Sequence, residues 1–143
     1  LGMKFDFTAA GVVTIDMSDY VKAVIANKPL DMIGKAATPS ANHLVDVREN
    51  LIPVEKEKVD VFHKIVMQLQ YLSQRARPDI RTAVSFLCKR VSAPDLDNYK
   101  KLTWVMRYLQ STIYLKLTLE SNGSGIIQWW VDERSHRWHP LHG

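Results

Sequence analysis

Between residues 56 and 110, apolar side chains recur every third or fourth position in three consecutive segments. That spacing constrains the chain more than any other feature, because it places each apolar set on one helical face. In 56–73 the stripe is Val59, Phe62, Val66, Leu69 and Leu72. In 78–91 it is Ile80, Val84, Leu87 and Val91, with Pro78 at a plausible first helical position. In 96–110 it is Tyr99, Leu102, Val105, Met106 and Leu109. Each stripe has the width a core-facing helix needs, so the three segments predict a bundle.

The flanking sequence has period two instead. Residues 3–7 and 12–17 alternate apolar and polar around Ala10-Gly11, which predicts an N-terminal β-hairpin. Ser18 is a suitable N-cap for a short fourth helix carrying Val21, Val24 and Ile25, which must stop before Pro29. Residues 28–54 carry Pro29, Gly34, Pro39 and Pro53 without periodicity and read as an irregular connector. Residues 113–120 and 125–132 alternate around Asn122-Gly123 and predict a C-terminal hairpin. The expected fold class is therefore α+β: an N-terminal β-hairpin, a central bundle of three to four helices and a C-terminal β-hairpin. Leu1-Gly2-Met3 runs straight into strand-like sequence without a signal peptide, so the chain reads as an incomplete piece of a larger fold.

Composition narrows the class. With 46% hydrophobic and 24% charged residues in 143, a disordered tail or a coiled coil is excluded. No apolar run approaches the roughly 20 residues of a membrane span, so no membrane partner is expected. The sole cysteine, Cys88, excludes an internal disulfide framework and suggests a reducing compartment. It lies beside Leu87 with no base in view, which makes it a small core residue rather than a nucleophile.

Charge is concentrated in one region. Arg75, Arg77, Arg81, Lys89, Arg90, Lys100, Lys101 and Arg107 face only Asp79, Asp95 and Asp97, a net +5 against +4 for the whole chain. Tyr71, Trp104 and Tyr108 are interleaved among them. Basic side chains on one side of a bundle could contact phosphates without reading bases; a solvated helix surface explains them equally well. No phosphate-binding glycine loop, paired Cys-x-x-Cys or Ser/His/Asp constellation is present. His136, His139 and His142 recur every third residue, but Pro140 keeps them off one helix face, so no metal site is assigned.

The segment 68–87, Q-L-Q-Y-L-S-Q-R-A-R-P-D-I-R-T-A-V-S-F-L, resembles the polyprotein of copia-type LTR retrotransposons. That family carries Y-L-x-x-x-x-R-P-D-I-x-x-A-V-x-x-L after its reverse transcriptase palm. Tyr71, Leu72, Arg77, Pro78, Asp79, Ile80, Ala83, Val84 and Leu87 match it. W-V-M-R-Y-L-Q-S-T at 104–112 resembles the family's R-Y-L-[KR]-G-T, with Ser111 in place of Gly. W-W-V-D at 129–132 resembles the first ribonuclease H strand, ending on its first catalytic carboxylate, here Asp132. Leu1-Gly2-Met3 and Thr38-Pro39 resemble the family's Y-L-G-[MI] and T-P.

The resemblance implies a layout. Residues 1–27 would be the end of the palm with the primer-grip hairpin and first thumb helix, 28–56 a connector, and 57–112 thumb and connection helices. Residues 113–132 would be the first hairpin of a truncated ribonuclease H domain. The implied partners are the RNA/DNA template–primer backbone and the remainder of the polyprotein, met inside the cell if the chain is expressed. Nucleotide addition needs paired palm carboxylates and two metal ions. Asp6 and Asp16 do not fit that motif, and Asp132 alone would be a vestige. No cofactor is expected for this chain, although magnesium would serve the intact parent. A non-enzymatic nucleic-acid-binding or interaction module is the alternative.

Residues 133–143 depart from the family. The family's S-H-T-G-G-T-L-S-M-G, written in suitable codons and read two nucleotides later, spells Ser135 to Gly143. The tail is therefore expected to be out of frame; a divergent tail is the alternative.

Overall fold

The computed structural model describes residues 2–46 and 52–127. Their order is β1 (Lys4–Asp6), β2 (Val12–Asp16), α1 (Ser18–Ala26), α2 (Lys56–Arg75), a single 3-10 turn (Pro78–Ile80), α3 (Arg81–Cys88), α4 (Leu96–Ser111) and β3 (Leu117–Glu120). The fold is α+β, as the two periodicities imply. The third stripe matches α4 closely, whereas the second divides: Pro78 opens the 3-10 turn and α3 begins at Arg81.

β1 and β2 form the expected antiparallel hairpin, with Phe5 opposite Ile15 and Asp6 opposite Thr14. Gly11 closes it at φ +73°, a backbone state that a side chain would resist. The C-terminal strand is present as well. Leu117–Glu120 joins the sheet by pairing with β2, with Val13 opposite Leu119 and Ile15 opposite Leu117. Residues 121–127 contain no strand, and 128–132 lie outside the described residues. The physical reason is face matching. β2 and β3 both carry apolar residues at alternate positions, so pairing them joins Val13, Ile15, Leu117 and Leu119 on one face, together with Phe5. The sheet order is β1-β2-β3.

The capping of α1 also differs from expectation. Met17, not Ser18, occupies the N-cap, without a side-chain cap. The Asp16 carboxylate instead accepts from the Ser18 amide at 2.8 Å and from the Ser18 hydroxyl. The hydrogen bonds from Ser18 hold the Asp16 carboxyl below its usual value. At α4, Asp95 accepts from the Asn98 amide at 2.7 Å, and Asn98 Oδ1 accepts from the Asp95 amide at 3.0 Å. This reciprocal cap satisfies two otherwise orphaned donors.

One core joins the helices to the sheet. Phe62, Val66, Leu69, Leu72, Ile80, Leu87, Leu102, Val105, Met106 and Leu109 are buried, together with Ile15, Met17, Val21 and Val24. Cys88 lies half-buried, and burial pushes its thiol up.

The connector is irregular but anchored. Four α4 side chains at three-residue intervals donate to its main-chain carbonyls. Lys101 Nζ reaches Asp46 O at 2.6 Å and Trp104 Nε1 reaches Thr38 O at 2.8 Å. Arg107 Nε reaches Ile33 O at 2.8 Å and Gln110 Nε2 reaches Met32 O at 3.1 Å. A row at that interval winds obliquely around a helix, so the connector crosses α4 at a slant. Gly34, at φ +114°, sits where a Cβ would come within 3.3 Å of Arg107 Nε.

Candidate nucleic-acid interface

The eight basic residues divide into committed and available groups. Arg77 is the most committed, at 1% exposure. Its Nε and Nη2 donate to the two Asp79 carboxylate oxygens at 3.1 and 2.9 Å. Nη1 donates to Thr112 O at 2.9 Å and Nη2 to Thr112 Oγ1 at 2.6 Å. Tyr108 completes the network by donating its hydroxyl to Asp79 Oδ2 at 2.6 Å. A buried guanidinium is tolerated only with such partners, because its desolvation is otherwise uncompensated. Burial pushes the Asp79 carboxyl up, but the Arg77 and Tyr108 hydrogen bonds and the Arg77 charge outweigh it and hold the group below its usual value. Burial and the bond to Asp79 push the Tyr108 phenol up.

This network joins the two motif blocks. Arg77 and Asp79 come from R-P-D-I, while Tyr108 and Thr112 come from R-Y-L-Q-S-T. The blocks lie about 30 residues apart in sequence and meet in space.

Lys101 is likewise buried and pairs with Asp97 at 2.9 Å besides holding Asp46 O. Arg90 donates to Asn98 Oδ1 at 3.3 Å and lies 3.7 Å from the Asp95 carboxylate, bracing the α4 cap. Arg107 spends its Nε on the connector. Sequence reasoning found these cations but not their acceptors, two of which are main-chain carbonyls that composition does not reveal.

Arg81, Lys89 and Lys100 are exposed. Arg81 makes one long bond to Ser73 O at 3.4 Å. Arg75 is half-buried, its guanidinium 3.7 Å from the Tyr71 ring centroid. Tyr71 leans on Tyr20 at 5.3 Å. A second feature was not anticipated: a cavity of about 530 Å³ between the connector and α4, lined among others by Leu44, Tyr99, Lys100, Trp104 and Arg107.

Asp132, His136, His139, His142 and the tail 133–143 lie outside the described residues. Asp6 accepts from the Thr8 amide at 2.9 Å, and it faces Thr14 across the hairpin rather than Asp16. Among the described residues no group of three or more His, Cys, Asp or Glu side chains gathers that could hold a metal ion. No helix among them is long and apolar enough to cross a membrane.

The chain is 26% identical over 112 residues to a putative transposon Ty5-1 protein of Saccharomyces cerevisiae, covering 78% of this chain and 36% of that protein. It is 38% identical over 71 residues to an uncharacterized mitochondrial protein of Arabidopsis thaliana, covering 50% of this chain and 29% of that one. It thus spans about a third of the length of these relatives. No protein-family model matches the chain. No solved structure matches it.

Proposed function

We propose that this chain is a fragment of a copia-type retrotransposon reverse transcriptase, the part that would hold the template–primer, and that it is catalytically inactive alone. The observation that carries the reading is the similarity to the yeast transposon protein. A matched stretch of 112 residues in a chain of 143 necessarily includes residues 32–112, and with them both motif blocks. The Arg77–Asp79–Tyr108–Thr112 network supports it, because it gives the two blocks a joint physical role.

The available cations set the binding mode. Arg81 and Lys89, exposed on and just after α3, would contact the backbone of a primer–template duplex, with half-buried Arg75 at the end of α2 as a further cation. Such contacts are electrostatic and sequence-independent. Polymerisation would reside in chain that this fragment lacks, since Asp6 and Asp16 form no carboxylate pair.

Binding of a labelled primer–template duplex at rising salt tests the reading, alongside primer extension with Mg²⁺ or Mn²⁺. Salt-dependent binding without extension is the expected result. Metal-dependent extension, abolished by replacing Asp6 and Asp16, would refute the inactive assignment. Absence of duplex binding at low salt would refute the holding role.

A further inference from the structure

The cavity between the connector and α4 has the size of a small-molecule site, for which about 300–1,000 Å³ is usual. Its α4 wall presents Lys100, Trp104 and Arg107 at positions i, i+4 and i+7. That spacing places the three on one helix face, with the indole between the two cations.

Among the described residues that line the cavity, cations exceed carboxylates. Lys58 is paired with Asp31 at 3.4 Å and Lys101 with Asp97 at 2.9 Å. Among the described residues the Arg107 side chain meets only a neutral carbonyl, through Nε, and its terminal nitrogens make no hydrogen bond. Among the described residues neither Lys100 nor Arg107 has a carboxylate within ion-pairing distance. Trp104 is fixed by its edge, through Nε1 to Thr38 O at 2.8 Å, and remains half-buried. An indole held by its edge keeps a ring face for stacking.

We propose that this cavity binds one nucleotide of a single nucleic-acid strand, its base stacked on Trp104 and its flanking phosphates on Lys100 and Arg107. Aromatic platforms between cations bind single strands without sequence preference, because every base has a π face. A duplex keeps its bases stacked on one another and cannot offer one to the cavity. The inference rests on the reading that the chain holds nucleic acid, but assigns a different strand form to a different surface from α3.

The test compares fluorescence anisotropy of a labelled oligothymidylate with that of a labelled blunt duplex, using the full chain. Trp104→Leu should weaken oligothymidylate binding about 5- to 150-fold and leave duplex binding unchanged. Trp104→Phe keeps a stacking ring but loses the bond to Thr38, and should recover most of the affinity. Lys100→Ala, at an exposed position, should lower the magnitude of the single-strand salt slope by about 0.7. Replacing Arg81 and Lys89 should weaken duplex binding alone. Equal single-strand affinity in wild type, Trp104→Leu and Lys100→Ala would overturn the cavity assignment. Duplex binding without oligothymidylate binding would also overturn it while leaving the proposed function standing; binding of neither would remove both.

Discussion

Arg77 donates to the main-chain carbonyl of Thr112, 35 residues further along the chain, at 2.9 Å. The bond fastens the corner after α2 to the last turn of α4, and Asp79 and Tyr108 close the network. Arg77→Ala removes every contact and leaves Thr112 and Asp79 without their main donor. Loss of one partner of a buried pair is worth roughly 3–5 kcal/mol, and the part-exposure of Asp79 places the expectation near the lower bound. Urea denaturation checks it; a loss under about 0.5 kcal/mol would rule out a structural role for Arg77.

Asp79→Asn separates two explanations of the same residue. A helix-dipole contribution alone is worth about 0.3–1 kcal/mol. The observed network adds charge-assisted bonds from Arg77 and Tyr108, so the expected loss rises to about 1.5–3 kcal/mol. In a double-mutant cycle with Tyr108→Phe, the two substitutions should be non-additive.

The same carboxyl predicts an acid dependence. The folded protein holds Asp79 below its usual value, so the stabilisation is fully present above the ordinary carboxylate range and is lost as pH falls through the depressed one. The stability difference between wild type and Asp79→Asn should therefore shrink steadily below about pH 4. A difference that stays constant down to acid unfolding would contradict the ion pair.

Leu87 is fully buried in the core shared by α2, α3 and α4. Leu87→Ala should destabilise by about 2–5 kcal/mol, the range for a leucine truncated where the surroundings relax only partly. Thermal and urea melts of the purified chain measure it.

The committed and available cations should behave oppositely in duplex binding. Arg81→Ala and Lys89→Ala should each lower the magnitude of the salt slope by about 0.9, with little change in stability. Lys101→Met should do the reverse, because Lys101 is buried against Asp97 and Asp46. Equal effects of all three on the salt slope would mean the division of the cluster is wrong.

The helices were legible because a 3.6-residue period is a local signal, and Phe62, Leu69, Leu102 and Leu109 all reach the core it predicts. The Asp95 and Asn98 cap was equally local and could have been read from the D-x-x-N spacing before the third stripe. The fate of Arg77 was not local, since its acceptors include a carbonyl 35 residues away. Net charge marked where cations accumulate but could not show that Lys101 and Arg107 fasten a connector whose carbonyls lack regular partners. The pairing of β3 with β2 was not local either. Asn122-Gly123 signals a turn nearby, whereas β2 lies near the opposite end of the chain.

That pairing has a kinetic consequence. Val12 lies opposite Glu120, so the sheet cannot close until a loop of about 100 residues has been gathered, at an entropic cost of roughly 4 kcal/mol. The helical hairpins between them can form first from short-range contacts. During synthesis the strand at Val12–Asp16 therefore waits with an open edge until Leu117–Glu120 has left the ribosome. A chain halted before residue 117 would keep its helices and expose β2 to pairing with other molecules.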